Sequence, residues 1–136
     1  MTTSAKEQRN VRAGLSPFVQ LLGIKLDCIG DGEVSMSLET TQEFHGNEFY
    51  QVHLGVITAL ADTTMEAACF TLSNRVALLG MNISYMRNTE LGMTLKSIAK
   101  VIQYDTAIVV ENLITNQVGD LIAKGRGTFL LLDKVE

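Results

Sequence analysis

From His53 or Leu54 to about Ser73 the sequence is apolar on nearly every side of a helix, through Val56, Ile57, Ala59, Leu60, Ala61, Met65, Ala67, Ala68 and Phe70. A helix apolar nearly all round has to be buried. Its flanks determine what buries it. Upstream, Ile24 to Ile29 and Glu33 to Thr40 read as two strands joined at Gly30-Asp31-Gly32, with Val34, Met36 and Leu38 alternating against Ser35, Ser37 and Glu39. That is a β-hairpin with one buried face. Downstream, four strands are expected at 75–87, 94–103, 106–115 and 121–132. They are divided by turn signals at 88–92, Tyr104-Asp105 and 116–120. The last three are linked closely enough for an antiparallel meander. The economical packing is α+β, a curved antiparallel sheet wrapped around one long central helix.

Before the hairpin, Ser16-Pro17 opens a short helix that Gly23 stops. Residues 1–15 read as a mobile or weakly helical arm. No linker or repeat divides the chain, and 136 residues suit a single domain spanning 1–136. The formal net charge is -4 with no basic run, which argues against nucleic acid. No amphipathic basic helix, spanning segment or signal core is visible, so no membrane partner and a cytoplasmic location are expected. Cys28 and Cys69 do not form a CxxC pair, so no metal site is expected, and both thiols are expected to be reduced and mostly buried.

The helix carries one polar line. Gly55, Thr58, Asp62 and Glu66 fall three or four residues apart and share one face. A buried helix seldom holds a carboxylate without a partner or a purpose. Two carboxylates one turn apart raise each other's proton affinity, which suits proton transfer near neutrality. The helix start supplies free backbone N–H groups and partial positive charge for a developing oxyanion. The blander alternatives are that Asp62 pairs structurally or with water, that His53 bonds backbone, and that Asn47 is a turn residue. His45 is the weakest candidate. GxSxG, P-loop and GxGxxG patterns are all missing, and Gly125-Arg126-Gly127 reads as a closely packed strand position.

The order Asn47, His53-Leu54-Gly55, Leu60-Ala61-Asp62 resembles the hot-dog fold thioesterases. The type is the phenylacetyl-CoA (PaaI-like) one within the 4-hydroxybenzoyl-CoA thioesterase superfamily. Met81-Asn82-Ile83-Ser84-Tyr85-Met86-Arg87, Leu91-Gly92 and Gly119-Asp120-Leu121-Ile122-Ala123-Lys124-Gly125 resemble its later elements. The resemblance runs from about Ser16 to Leu132 and implies a hydrolase acting on an acyl- or aryl-CoA. It implies Asp62 as general base or nucleophile and the Leu54 backbone N–H as polariser of the thioester oxygen. Asn47 and His53 would orient substrate or water, with Gly55 beside the donor. Glu66, Met81 and Arg87 are the expected substrate contacts, with Arg87 and Arg126 as candidates for the phosphates. No cofactor is implied beyond the CoA of the substrate. Two copies would share each site, giving a homodimer or a dimer of dimers.

Two departures stand out. Leu54 replaces the first glycine of His-Gly-Gly, and Ala77-Leu78-Leu79-Gly80 has no hydroxyl where many members carry Ser or Thr. The alternative function is therefore a non-catalytic hot-dog domain that binds acyl-CoA or a related acyl ligand. A hydratase of the same fold fits less well, because Ile57, Thr58 and Leu60 occupy the early helix positions where a carboxylate would be needed.

Overall fold

A computed structural model of the chain describes residues 16–73 and 75–132. The arm expected at 1–15 lies outside the described residues. The elements run α1 (Pro17–Leu22), β1 (Lys25–Gly30), β2 (Glu33–Glu39), α2 (Gln42–His45), α3 (Leu54–Phe70), β3 (Val76–Tyr85), β4 (Thr94–Tyr104), β5 (Ala107–Asn116) and β6 (Leu121–Leu131). All six strands form one antiparallel sheet in the order β1-β2-β4-β5-β6-β3. The expected hairpin and meander are both present. The first strand after α3 crosses to the far edge and pairs with β6, so the sheet's two edges are β1 and β3.

The inner face of the sheet is set by alternation. Val34, Met36 and Leu38 on β2, Leu95 and Ala99 on β4, Ile108, Val110 and Ile114 on β5, and Phe129 on β6 are all buried. The outer face carries Lys96 and Lys100, Glu111, and Lys124 and Arg126 in the intervening positions. Register shifts at Leu26/Cys28, Leu78/Gly80 and Val101/Gln103 bend the strands, as an inserted residue does. The curved sheet receives α3, whose Ile57, Leu60, Ala61, Met65 and Ala68 are buried. Gly127 lets the helix approach. A Cβ there would stand 3.0 Å from the Phe129 ring and 3.2 Å from Met65 Sδ. Gly125-Arg126-Gly127 is thus a packing device, as the sequence reading expects.

Three details differ from the sequence expectations. The loop before α3 contains the one-turn helix α2, because Thr41 caps it through the Phe44 N–H and His45 folds back to accept the Thr41 N–H. The central helix ends at Phe70 rather than near Ser73. There the Thr71 hydroxyl donates to Ala68 O and accepts the Gly32 N–H at 2.7 Å, pinning the β1–β2 turn to the helix end. Cys69 is buried as expected, but Cys28 is exposed, because β1 is an edge strand covered on one side only. No helix among the described residues is long and apolar enough to cross a membrane.

Candidate active site

The entrance to α3 is organised by two side chains that keep their own backbone in order. Asn47 Oδ1 accepts the N–H of Phe49 at 2.8 Å and of Gln51 at 3.0 Å. That double bond closes the loop and holds Tyr50 at φ 60°, a conformation bulky side chains rarely adopt. Phe49 and Tyr50 are turned outward, each 72% exposed. The two lone pairs of the Asn47 carbonyl are occupied, and its amide Nδ2 is the part left for a ligand. The turn reading of Asn47 is thus correct for half of the side chain.

His53 is the N-cap of α3, and its Nδ1 accepts the Gly55 N–H at 2.8 Å. The bond requires an unprotonated Nδ1, so the proton sits on Nε2. Gly55 makes room for the ring, since a Cβ there would lie 3.0 Å from Nδ1. His53 O accepts the N–H of both Val56 and Ile57. Of the first-turn donors, only Leu54 N–H has no hydrogen bond among the described residues. It sits at an exposed helix start, the electropositive end of α3.

The expected polar line is present on α3. Thr58, Asp62 and Glu66 are half-buried while Val56, Ile57, Leu60 and Ala61 are buried. Burial pushes the Asp62 carboxyl above its ordinary proton affinity. Burial also raises Glu66, and the neighbouring Asp62 charge raises it further. Cys69 is pushed up to about 12 by burial and by Glu66, which leaves it a neutral thiol. No group of three or more His, Cys, Asp or Glu side chains among the described residues is arranged to hold a metal ion.

The remaining candidates separate. His45 is buried and fully used, its Nδ1 accepting from Thr41 N–H and its Nε2 lying 2.7 Å from Leu22 O. Met81 is partly buried against the core, and Met65 is entirely core. Arg87 pairs with Asp120 at 3.3 Å and Arg126 with Glu111 at 2.7 Å, both on exposed surface. Sequence pattern alone does not mark Tyr85 as a site residue. Its hydroxyl bonds Thr58 Oγ1 on the polar line. The signal was the alternation of Met81, Ile83 and Tyr85, which carries the inner face of β3 past the core to the helix start.

A six-stranded antiparallel sheet curled about one long helix is the hot-dog fold. Solved structures of PaaI proteins share this architecture. It is similar to the Escherichia coli PaaI protein from the phenylacetic acid degradation operon, at TM-score 0.90 and 24% identity over 98% of this chain and 99% of that one. It is similar to the conserved protein PA5202 of Pseudomonas aeruginosa, at TM-score 0.82 and 29% identity over 89% and 98% of the two chains. A hypothetical thioesterase of Streptococcus pneumoniae, solved with coenzyme A, matches at TM-score 0.82 and 18% identity over 95% and 99%. No family model matches the chain, and no curated protein matches it by sequence.

Proposed function

We propose that this chain is an acyl-CoA thioester hydrolase assembled as at least a dimer. The observation that carries the reading is the pairing, on one helix, of an open Leu54 N–H with a half-buried Asp62 whose proton affinity is raised. Support for the substrate comes from proteins of the same fold, among them a hypothetical thioesterase with coenzyme A and a Streptococcus mutans protein bound to acetyl CoA.

The two groups cannot serve one carbonyl from a single chain. Eight positions separate Leu54 from Asp62 on α3, which is about 12 Å at the rise of an α-helix. A donor and a base acting on one thioester each have to lie within about 3 Å of adjacent atoms. The carboxylate facing a given Leu54 therefore belongs to a second copy. Thr58 of the polar line bonds Tyr85 of β3, an open sheet edge with Leu78 and Leu79 exposed, which is where a second copy would add.

In the assembled site Asp62 of the partner subunit takes a proton from water. The water oxygen bonds to the thioester carbon, and the carbonyl electron pair moves onto oxygen, where Leu54 N–H holds it. Collapse re-forms the carbonyl and breaks the carbon–sulfur bond. The leaving thiolate takes the proton from the Asp62 carboxyl, giving free acid and CoA. Asn47 Nδ2 orients the acyl end, and His53 keeps the donor turn in shape. Glu66, Met81 and Arg87 border the substrate path. Nothing in this chemistry calls for a cofactor beyond CoA.

The test is release of CoA from a panel of acyl- and aryl-CoAs, followed by loss of thioester absorbance so that exposed Cys28 does not interfere. Asp62→Asn is expected to lower the rate by about 10²-fold or more, the scale of a lost general base. One observation favours a second reading, a binding module: the 77–80 stretch of β3 offers no hydroxyl to hold water. Saturable acyl-CoA binding without turnover would establish that reading instead.

A further inference from the structure

The first turn of α3 stands away from the core. His53, Leu54 and Gly55 are all exposed, and the buried face of the helix begins at Val56. A helix start in that setting opens easily. An oxyanion donor, by contrast, has to be fixed before charge develops on the substrate. The Leu54–Gly55 peptide is gripped on both sides. Its N–H goes to His53 Nδ1 at 2.8 Å, and its C=O accepts the Thr58 hydroxyl at 2.9 Å. Thr58 has one hydroxyl hydrogen, and Leu54 O takes it. The short contact between Thr58 Oγ1 and Tyr85 Oη therefore has the phenol as donor.

Tyr85 is the last residue of β3, opposite Ala123 of β6. The chain just beyond it is secured by Met86 N–H to Ile122 O at 2.8 Å and by the Arg87–Asp120 pair. The phenol thus joins the end of β3 to the exposed start of α3. Resting on the thioesterase reading above, we propose that Tyr85 and Thr58 are positioning residues for that reaction, holding the donor turn through a relay from Tyr85 Oη to Thr58 Oγ1 to Leu54 O. Neither touches the reacting atoms. Their effect is on where Leu54 N–H points when the oxyanion forms, so it belongs in kcat and not in KM.

The experiment is steady-state hydrolysis of the best acyl-CoA by wild type, Tyr85→Phe, Thr58→Val, the double variant and Thr58→Ser. Tyr85→Phe is expected to lower kcat about fivefold, the scale of one net hydrogen bond, with KM unchanged. Thr58→Val cuts both links, so the double variant should be no slower than Thr58→Val alone. Thr58→Ser should restore the rate. Tyr104→Phe removes a phenol hydroxyl that bonds Leu72 O beyond the other end of α3, and should leave kcat as it is. The proposal is overturned if Tyr85→Phe retains full kcat, if its defect lies in KM alone, or if the two substitutions add. A wild type that hydrolyses no acyl-CoA sinks the thioesterase reading and this proposal together. An active wild type matched by Tyr85→Phe sinks the positioning role only.

Discussion

His53 Nδ1 accepts the amide hydrogen of Gly55 at 2.8 Å, which leaves Leu54 as the open donor of the first turn of α3. The histidine is thus a helix cap whatever else it does. His53→Ala should cost about 1 kcal/mol of stability, the usual scale of a lost N-cap. His53→Asn keeps a capping acceptor and should melt close to wild type. Comparing the hydrolysis rates of the two variants separates capping from any direct use of the ring. If both lose rate equally while only the alanine variant loses stability, the ring itself takes part. Gly55→Ala should behave as a partial loss of the cap, because its Cβ would meet the ring at 3.0 Å.

Asn47 divides in the same way. Its carbonyl closes the loop, and its amide has no partner among the described residues. Asn47→Asp keeps both acceptor bonds and removes the N–H₂. It should fold and melt like wild type while losing hydrolysis by about tenfold, the scale of a lost orienting group. Asn47→Ala should also open the loop and lower the melting temperature. An aspartate variant with full activity would confine Asn47 to loop structure.

Acidity at the polar line has a definite sign. Asp62 binds its proton more tightly in the folded chain than in the unfolded one, because burial disfavours its charge. Stability from this group falls as pH rises from the ordinary carboxylate value through the raised one. Asp62→Asn should therefore melt higher than wild type at neutral pH, and the gain should close as pH falls through that interval. The same substitution removes the Asp62 charge that helps raise Glu66, so Glu66 should titrate lower in the variant while staying above its ordinary value through burial. Carboxyl carbon NMR reads both. With Asp62 as the proposed base, acting when deprotonated, the acid limb of the hydrolysis rate should also lie above the usual aspartate range.

The thiols give an independent check on packing. A small thiol reagent should modify Cys28 in the native chain and spare Cys69, which is buried and held neutral with its pKa pushed up to about 12. Both should react once the protein is unfolded. Rapid native labelling of Cys69 would mean that α3 does not sit in the sheet as described.

Much of this was legible in the sequence, for identifiable reasons. The central helix announced itself through apolar residues on almost every side, and the strands through alternation such as Val34-Met36-Leu38, both of which are local signals. The polar line from Gly55 to Glu66 followed from helical spacing alone. What was missed depends on contacts distant in sequence. The helix end at Thr71 is tied to Gly32 across the fold, a contact no local pattern shows. Tyr85 meets Thr58 because β3 crosses to pair with β6, a crossover no local pattern encodes. Cys28 looked buried because free cysteines usually are, yet it falls on the one strand of the hairpin that forms a sheet edge.

Leu54→Pro tests the central claim most directly. Leu54 is the first residue of α3, where proline is favoured, and its N–H has no partner to lose among the described residues. His53 before it is already extended, at φ -63° and ψ 134°, as a residue preceding proline has to be. The substitution therefore deletes one hydrogen-bond donor at little cost to the fold. Leu54→Gly serves as the control that loses the side chain and keeps the donor. The measurement is kcat for acyl-CoA hydrolysis by both variants, at matched melting temperature. A loss of about 10²-fold or more in Leu54→Pro, with Leu54→Gly active, is the predicted result for a missing oxyanion donor. A folded Leu54→Pro that hydrolyses acyl-CoA at the wild-type rate would contradict it.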